Sequence, residues 1–423
     1  MEIIKNKTIL RRYSKYKYSG IDWLGNIPEH WKLIRGNYVF QIVDERSKKG
    51  EEELLSVSEI HGVKPRSSTT VNMFKAEDYS GYKLCYPGDL VINSLWAWSR
   101  GLGISDYFGI VSTAYSVFRP DYNRYNKQFL NYLLRNERYV AKYNMESKGI
   151  WKSRLQISDW SFLRIPILIP PKPEQTRIAN FLDRKCEQID KAIAQKERLI
   201  ELLKERRQII IQNAVTRGLD PNVKLKDSGV EWIGKIPEHW EVVKLKRLFT
   251  FFNNRRIPLS VDEREKRQGK YPYYGASGII DYIDDYIFDE NLIIIAEDGA
   301  NLLYKSTPLA FVAKGKYWVN NHAHILKPNF SGFIFWSELL CSIDYATKIS
   351  GAAQPKLSKE RLANIFLPLP SKEELIKLSD YFADVDNKFK QAITYQQNQI
   401  EKLKEYKSVL IDSAVTGKIK VNE

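Results

Sequence analysis

Two stretches of the chain carry the same long alternation of apolar and polar positions. In the first, apolar residues recur at Leu182, Ile189, Ile193, Ile200, Leu203, Ile210 and Ala214. In the second they recur at Phe382, Phe389, Ile393, Ile400, Leu403, Leu410 and Ala414, each 200 positions after its counterpart. With the intervening positions filled, the steps alternate four and three, the spacing of a left-handed coiled-coil seam. The filling pairs, Cys186/Asp386, Lys196/Gln396 and Arg207/Lys407, are mostly polar. Polar seam positions fix register and partner at some cost in stability. Pro173 suits a first helical turn, and Ser371 with Glu374 spells a capping box. A helix from residue 174 to 216 would span about 65 Å at ~1.5 Å per residue. The pattern admits a dimerisation coil. Seams that match so closely within one chain favour two helices pairing with each other, antiparallel, as a spacer.

Outside these stretches the period changes. Short runs rich in Val, Ile, Tyr and Phe, broken by Gly, Pro and Asn, predict strands, among them 89–92 and 292–295. Helices are expected at 127–136 and 333–343. The arrangement then repeats. Residues 18–40 (YSGIDWLGNIPEHWKLIRGNYVF) and 227–249 (DSGVEWIGKIPEHWEVVKLKRLF) share Ser-Gly, Trp, Gly and the whole Ile-Pro-Glu-His-Trp run. Residues 165–170 (IPILIP) and 365–370 (IFLPLP) form a second pair, each opening one of the helical stretches. A period of roughly 200 residues is far too long for a solenoid and marks a duplicated domain pair. The expected fold class is α+β: two mixed α/β domains in tandem, each followed by a long helix, the two helices pairing as an antiparallel coiled coil. The expected boundaries are an N-terminal extension at 1–18, a first head at 19–165, a first helix at 166–218, a second head at 227–365 and a second helix at 366–423.

Composition narrows the partner. The 423 residues are 43 % hydrophobic, enough for real cores, and 66 Lys plus Arg against 51 Asp plus Glu leave a net charge of +15. That excess favours a polyanion, most commonly nucleic acid. Cys85, Cys186 and Cys341 are too few and too scattered for a disulfide framework or a zinc site and suit a reducing compartment. The first residues hold no apolar stretch of signal-peptide length, and runs such as 292–296 are far too short to cross a bilayer. A cytoplasmic protein without a membrane partner is expected.

Basic and aromatic residues gather on loop-like segments of both heads. In the first these are Arg46, Lys48, Arg66, Ser67, Trp98 and Arg100; in the second, Asn254, Arg255, Arg256, Lys270, Tyr273 and Tyr274. Lys and Arg serve phosphates, while Asn, Gln and Arg present the paired donors and acceptors that read base edges. Any one of them, taken alone, reads more readily as solvated surface than as a base contact. The segment 299–306, which holds Lys305, looks like a phosphate loop but lacks its second glycine. There is no G-x-G-x-x-G, no H-E-x-x-H, no Asn/Asp-Pro-Pro-Tyr/Phe segment and no clustered nuclease set. His322 and His324 want a third ligand, so a structural or DNA-facing role is expected rather than a metal. Glu29-His30-Trp31 and Glu238-His239-Trp240 recur identically and read as a packing element. No catalytic residue, cofactor or metal is expected.

The chain resembles the specificity subunit of type I restriction–modification systems over essentially its full length. The resemblance rests on the repeated W-x-G-x-I-P-x-H-W entry (Trp23 to Trp31, Trp232 to Trp240), on 87–98 and 109–115 in the first head, and on 273–278, 297–299 and 320–324 in the second. The segments 149–155 and 351–357 fit as well, and they add Lys152, Gln354 and Lys356 to the DNA-contact residues, with Lys305 and His322. The resemblance implies that each head reads one half of a split double-stranded DNA target and that the helix pair sets the gap. Two methyltransferase subunits, which bind S-adenosylmethionine, would dock on the helices, and restriction subunits with an ATP-driven motor would join them. Thr113 stands where the family pattern has proline, and residues 1–17 lie outside the resemblance. A duplicated coiled-coil adaptor that binds no DNA is the alternative, which the basic loops and the net charge disfavour. A single-chain enzyme is disfavoured by the missing motifs.

Overall fold

The computed structural model describes residues 11–68, 78–151, 154–351 and 355–421. It forms two compact units, residues 1–195 with 398–423, and residues 196–397.

In the first unit the centre is a four-stranded antiparallel sheet in the order Phe40–Val43, Tyr115–Pro120, Leu90–Asn93, Leu102–Ile104. Alternation along the strands gives it two apolar faces. Leu90, Ile92 and Phe118 join the main core, while Val43, Val91 and Val117 point into a smaller one. The helix Lys127–Leu134 buries Phe129, Leu130, Leu133 and Leu134 in the main core. The Asn126 side chain caps it by accepting from Phe129 N, and Asn136 caps Glu137–Glu146 in the same way. The smaller core lies under the hairpin Leu55–Ser58 with Gly62–Pro65 and the pair Lys83–Cys85 with Gly109–Val111.

The second unit builds the same central sheet from different residues, in the order Phe249–Phe251, Ala323–Pro328, Leu292–Ala296, Ala310–Ala313. Ile293, Ile295 and Leu326 face the helix Phe333–Ser342, and Leu292, Ile294 and Ile325 face the other way. That second face carries a further four-stranded sheet, ordered Gly278–Ile283, Gln268–Gly275, Lys316–Val319, Phe288–Asp289. Where the first unit has two short two-stranded pairs, the second has this larger sheet, so the duplicated heads diverge chiefly on one side.

Each unit also repeats the predicted entry. The hairpin Tyr16–Tyr18 with Asn26–Pro28 precedes Lys32–Arg35, which pairs with Pro166–Ile169. Its counterpart, Leu225–Asp227 with Lys235–Pro237, precedes Glu241–Lys244, which pairs with Phe366–Leu369. A glycine sits over the entry tryptophan in both, Gly218 against Trp240 and Gly417 against Trp31, with φ of +74° and +73°. These are the left-handed residues that end the long helices.

The long helices run Lys172–Arg217 and Lys372–Val415. Each unit contains the first part of one and the last part of the other, packed antiparallel. In the first unit Leu182, Ile189, Leu410 and Ala414 share one core, with Ile193 and Leu403 against it. There Lys407 Nζ reaches Asp190 at 2.7 Å. In the second unit Lys196 Nζ donates to Gln396 Oε1 at 3.1 Å and Arg207 meets Asp386 at 3.0 Å. The polar seam positions therefore meet one another or a neighbouring charge across the pair. The seam also departs from the strict heptad: Ile211 and Val385 are buried, while Ile210 is half-buried and Asp386 exposed. Contacts from the second head pull these helix faces round; Glu338 on its helix takes an ion pair from Arg207 at 2.6 Å. No described helix is long and apolar enough to cross a membrane.

Candidate nucleic-acid interface

The repeated Glu-His-Trp entry is a clamp on the helix start. Trp31 is fully buried, and its Nε1 donates to Glu174 Oε1 at 3.2 Å, while His30 Nε2 meets Glu174 Oε2 at 2.8 Å. Tyr13 donates its hydroxyl to the same carboxylate, and burial, with that bond, pushes its phenol far above the ordinary value. In the second unit Trp240 Nε1 donates to Glu374 at 3.1 Å and His239 meets it at 2.9 Å. Glu374 also closes the predicted capping box with Ser371. Burial pushes the Glu374 carboxyl up, but the bonds from Ser371, Trp240 and His239 more than offset it and hold it below the usual range. The carboxylate partners Glu174 and Glu374 lie in the helices, 144 and 135 positions from their histidines. The capping box with Ser371 marked Glu374 in the sequence, and Glu174 is its counterpart 200 positions earlier.

In the first head, the segments 93–98, 112–115, 148–151 and 154–157 meet at the end of the central sheet. Asn93 Nδ2 donates to Tyr115 Oη at 3.1 Å, Ser94 Oγ to Ala114 O at 3.0 Å, and Gln156 Nε2 to Ser94 Oγ at 3.2 Å. Ile157 N donates to Ser94 O at 3.1 Å, so Ser94 roots both the Trp96–Arg100 turn and the stretch 154–157, whose Gln156 pairs with Lys148. Trp98 is half-buried and stacks on Trp96, and the ring that faces out is that of Trp96. Arg100 faces Glu137 at 3.9 Å. Beside it Arg135 donates to the carbonyls of Glu59 and Ile60, and burial together with Arg100 pulls its guanidinium down to about 10. Arg46 pairs with Asp44 at 2.9 Å and Ser67 donates to Glu53 at 2.8 Å. Arg66 lies close enough to Tyr115 to oppose the upward push of burial on that phenol. Lys48 is exposed, and Lys152 lies outside the described residues.

The second head closes the same end of its sheet with charge. Arg256 Nη1 meets Glu297 Oε2 at 2.5 Å and donates to Ala323 O at 2.6 Å; Lys356 meets Glu297 at 3.4 Å. Leu357 N donates to Glu297 O at 2.8 Å, matching Ile157 and Ser94. His324 is fully buried between Asn253 Nδ2 and Leu357 O, both at 2.7 Å. Its Nε2 donates and its Nδ1 accepts, and burial, the largest influence, lowers its pKa and keeps it neutral. His322 is half-exposed and pairs with Asp298 at 2.9 Å. One imidazole is thus in the core and one at the surface. Among the described residues no group of three or more His, Cys, Asp or Glu is placed to hold a metal.

Two of the candidate residues are engaged within the fold. Tyr273 is wholly buried, with its hydroxyl accepting from Leu259 N at 3.0 Å, so it belongs to the core. Arg256 is spent on Glu297 and three backbone carbonyls. Tyr274 is partly buried between Phe311 and Tyr317. Arg255 pairs with Glu290 at 3.3 Å and lies over the Phe288 ring. Lys305 donates to Ile343 O at 2.8 Å. Asn254 and Lys270 are exposed, Lys270 over the Tyr271 ring, and Gln354 lies outside the described residues.

Comparison with known proteins points one way. Residues 237–402 match the family model described as the type I restriction modification DNA specificity domain. The type I restriction enzyme MjaVIII specificity subunit of Methanocaldococcus jannaschii is 25% identical over 454 residues, covering 98% of each chain. A solved chain from work on complex assembly and conformational transition of the type I R-M system aligns with TM-score 0.68 at 16% identity, over 92% of this chain and 98% of that one. The HsdS subunit of Thermoanaerobacter tengcongensis aligns with TM-score 0.50 at 16% identity, over 93% and 98%.

Proposed function

We propose that this chain, which belongs to the type I restriction–modification specificity subunits, binds DNA as a two-headed reader and does no chemistry itself. Each head reads one half of a bipartite duplex target. The antiparallel helix pair fixes the gap between the halves and docks two methyltransferase subunits, and restriction subunits join that complex in the cytoplasm. The observation that carries this reading is a shared frame with unshared loops. Both heads use one sheet order, one entry hairpin and one Trp–Glu clamp, yet they differ in the elements laid over the sheet and in the polar groups at its end. A common attachment bearing different surfaces suits two readers of different sequences. Within those surfaces Lys48, Asn254 and Lys270 are the exposed candidates for DNA contact, with Arg46, Arg66 and Arg255 beside them.

The test is co-expression with the methyltransferase subunit and mapping of methylated adenines across genomic DNA. A single split motif with two unlike halves is expected. A complex that assembles and methylates nothing refutes the reading and favours a DNA-free adaptor.

A further inference from the structure

Among the described residues only two besides glycine adopt a left-handed backbone, Arg100 at φ 60° and Lys305 at φ 48°. They occupy the same place in the two heads. Each closes the short helical turn that follows the central strand, Ala97–Ser99 after Leu90–Asn93 and Asn301–Tyr304 after Leu292–Ala296. The turns have little sequence in common, SLWAWSRG against GANLLYKS. Such a backbone costs a non-glycine residue about 1 kcal/mol or more, and it persists where the surroundings over-determine it. Its recurrence on a basic residue, at one point of two unlike loops, calls for a shared cause.

An outward aromatic ring precedes each. Trp96 is 50% exposed and Tyr304 78%. The turns that carry them are held in place. Trp98 stacks on Trp96 at 5.4 Å, and a Cβ on Gly101 would come within 2.8 Å of Trp96 Cβ, so only glycine lets the chain pass. Asn301 staples the second turn by accepting from Ser306 Oγ at 2.9 Å and Thr307 N at 3.0 Å, with Leu302 buried beneath as a foot. The basic side chains turn back to the head. Lys305 donates to Ile343 O, Arg100 faces Glu137, and the Arg100 carbonyl accepts from Arg135 at 3.3 Å. The cations hold the turns and the rings are left facing solvent.

We propose that Trp96 and Tyr304 are stacking wedges that engage an unstacked base in their respective half-sites, with Arg100 and Lys305 as positioning residues rather than phosphate contacts. This rests on the two-reader function. An outward aromatic ring held on a fixed turn offers a face on which a base can stack, and side chains of this kind enter base steps and distort the duplex.

The test uses the full chain in complex with its methyltransferase subunits, on duplexes carrying the mapped target with 2-aminopurine at successive positions. The wild-type complex should raise fluorescence at one position in each half-site. Tyr304→Ala should abolish the signal in one half-site only and weaken binding about tenfold (~1.4 kcal/mol), with an unchanged salt slope; Tyr304→Phe should retain both. Trp96→Ala should do the same in the other half-site. Lys305→Ala should reduce signal and affinity at constant slope, whereas a phosphate contact would lower the slope by about one. Wild-type methylation together with an indifferent Tyr304→Ala overturns the wedge alone. Loss of subunit assembly in Tyr304→Ala also overturns it, by making the ring a protein contact. A wild-type complex that methylates nothing overturns the two-reader function and the wedge with it.

Discussion

Replacing Glu374 by alanine should loosen the second unit at its entry by about 2–3 kcal/mol, and most of that cost comes from one orphaned donor. The Trp240 ring is wholly buried, and the carboxylate is the acceptor of its Nε1 proton. A buried donor left without an acceptor costs about 1–3 kcal/mol. The reciprocal half of the capping box, Ser371 N to Glu374 Oε2 at 3.1 Å, adds a few tenths. Ser371 Oγ still accepts from residue 374 N, so the cap is not wholly lost. The His239 pair adds little, because that side chain is half-exposed and the interaction is screened. Hydrogen–deuterium exchange of the segments 235–244 and 372–380 reads this directly. At about 1.4 kcal/mol per tenfold, ~2 kcal/mol is roughly a thirtyfold faster exchange through local opening. Glu374→Gln, which keeps an acceptor, should recover about half. His239→Ala should change exchange less than threefold. If Glu374→Ala exchanges like wild type, or if His239→Ala costs as much, the indole donor is not what the clamp satisfies.

Further outcomes are expected. Lys48→Ala and Lys270→Ala should each weaken DNA binding and lower the salt slope by about one, whereas Arg256→Ala should lower the melting temperature of the second unit, because its ion pair with Glu297 is part of the fold. Exchanging residues 245–364 for those of a relative should change one half of the methylated motif and leave the other. The Asp412 carboxyl feels burial most, which raises it, but bonds from Lys418 and Asn136 with the nearby Arg138 charge more than offset this, so its folded pKa is depressed. Its stabilising contribution is therefore full above the unfolded value of about 3.9 and is lost as pH falls through the depressed folded value. The stability gap between wild type and Asp412→Asn should accordingly be widest near neutrality and close in acid urea titrations. Reversing Lys407 to Glu should cost ~0.5 kcal/mol, and adding Asp190→Lys should restore most of it.

What could be read along the chain was whatever repeats or has a period. The heptads placed both helices and their antiparallel pairing, and the duplicated Ile-Pro-Glu-His-Trp run marked a packing element that became the clamp on Glu174 and Glu374. The site was less legible because its determinants are non-local. Ser94 and Glu297 lie in segments that carry the resemblance, but they root the loops at the two sheet ends through backbone bonds to Ile157 and Leu357, distant partners that no local pattern joins to them. Tyr273 sits in an aromatic loop-like run, yet a second sheet with no counterpart in the first head buries it.

The same contrast applies to Arg100, Arg256 and Lys305, whose side chains have partners within the head. A loop arginine read from sequence counts as a free cation, but a head that must hold an unlike loop on a common sheet needs donors to tie that loop down. Arg256 binds Glu297 and the Ala323 carbonyl, and Lys305 reaches the Ile343 carbonyl. Part of the positive charge of these heads is therefore spent on holding their loops. Lys48 and Lys270, by contrast, keep their side chains in solvent. On the proposed two-reader function, divergence of specificity has two separable routes: changing the exposed residues alters what is read, and changing the tying residues alters where the reading loop stands.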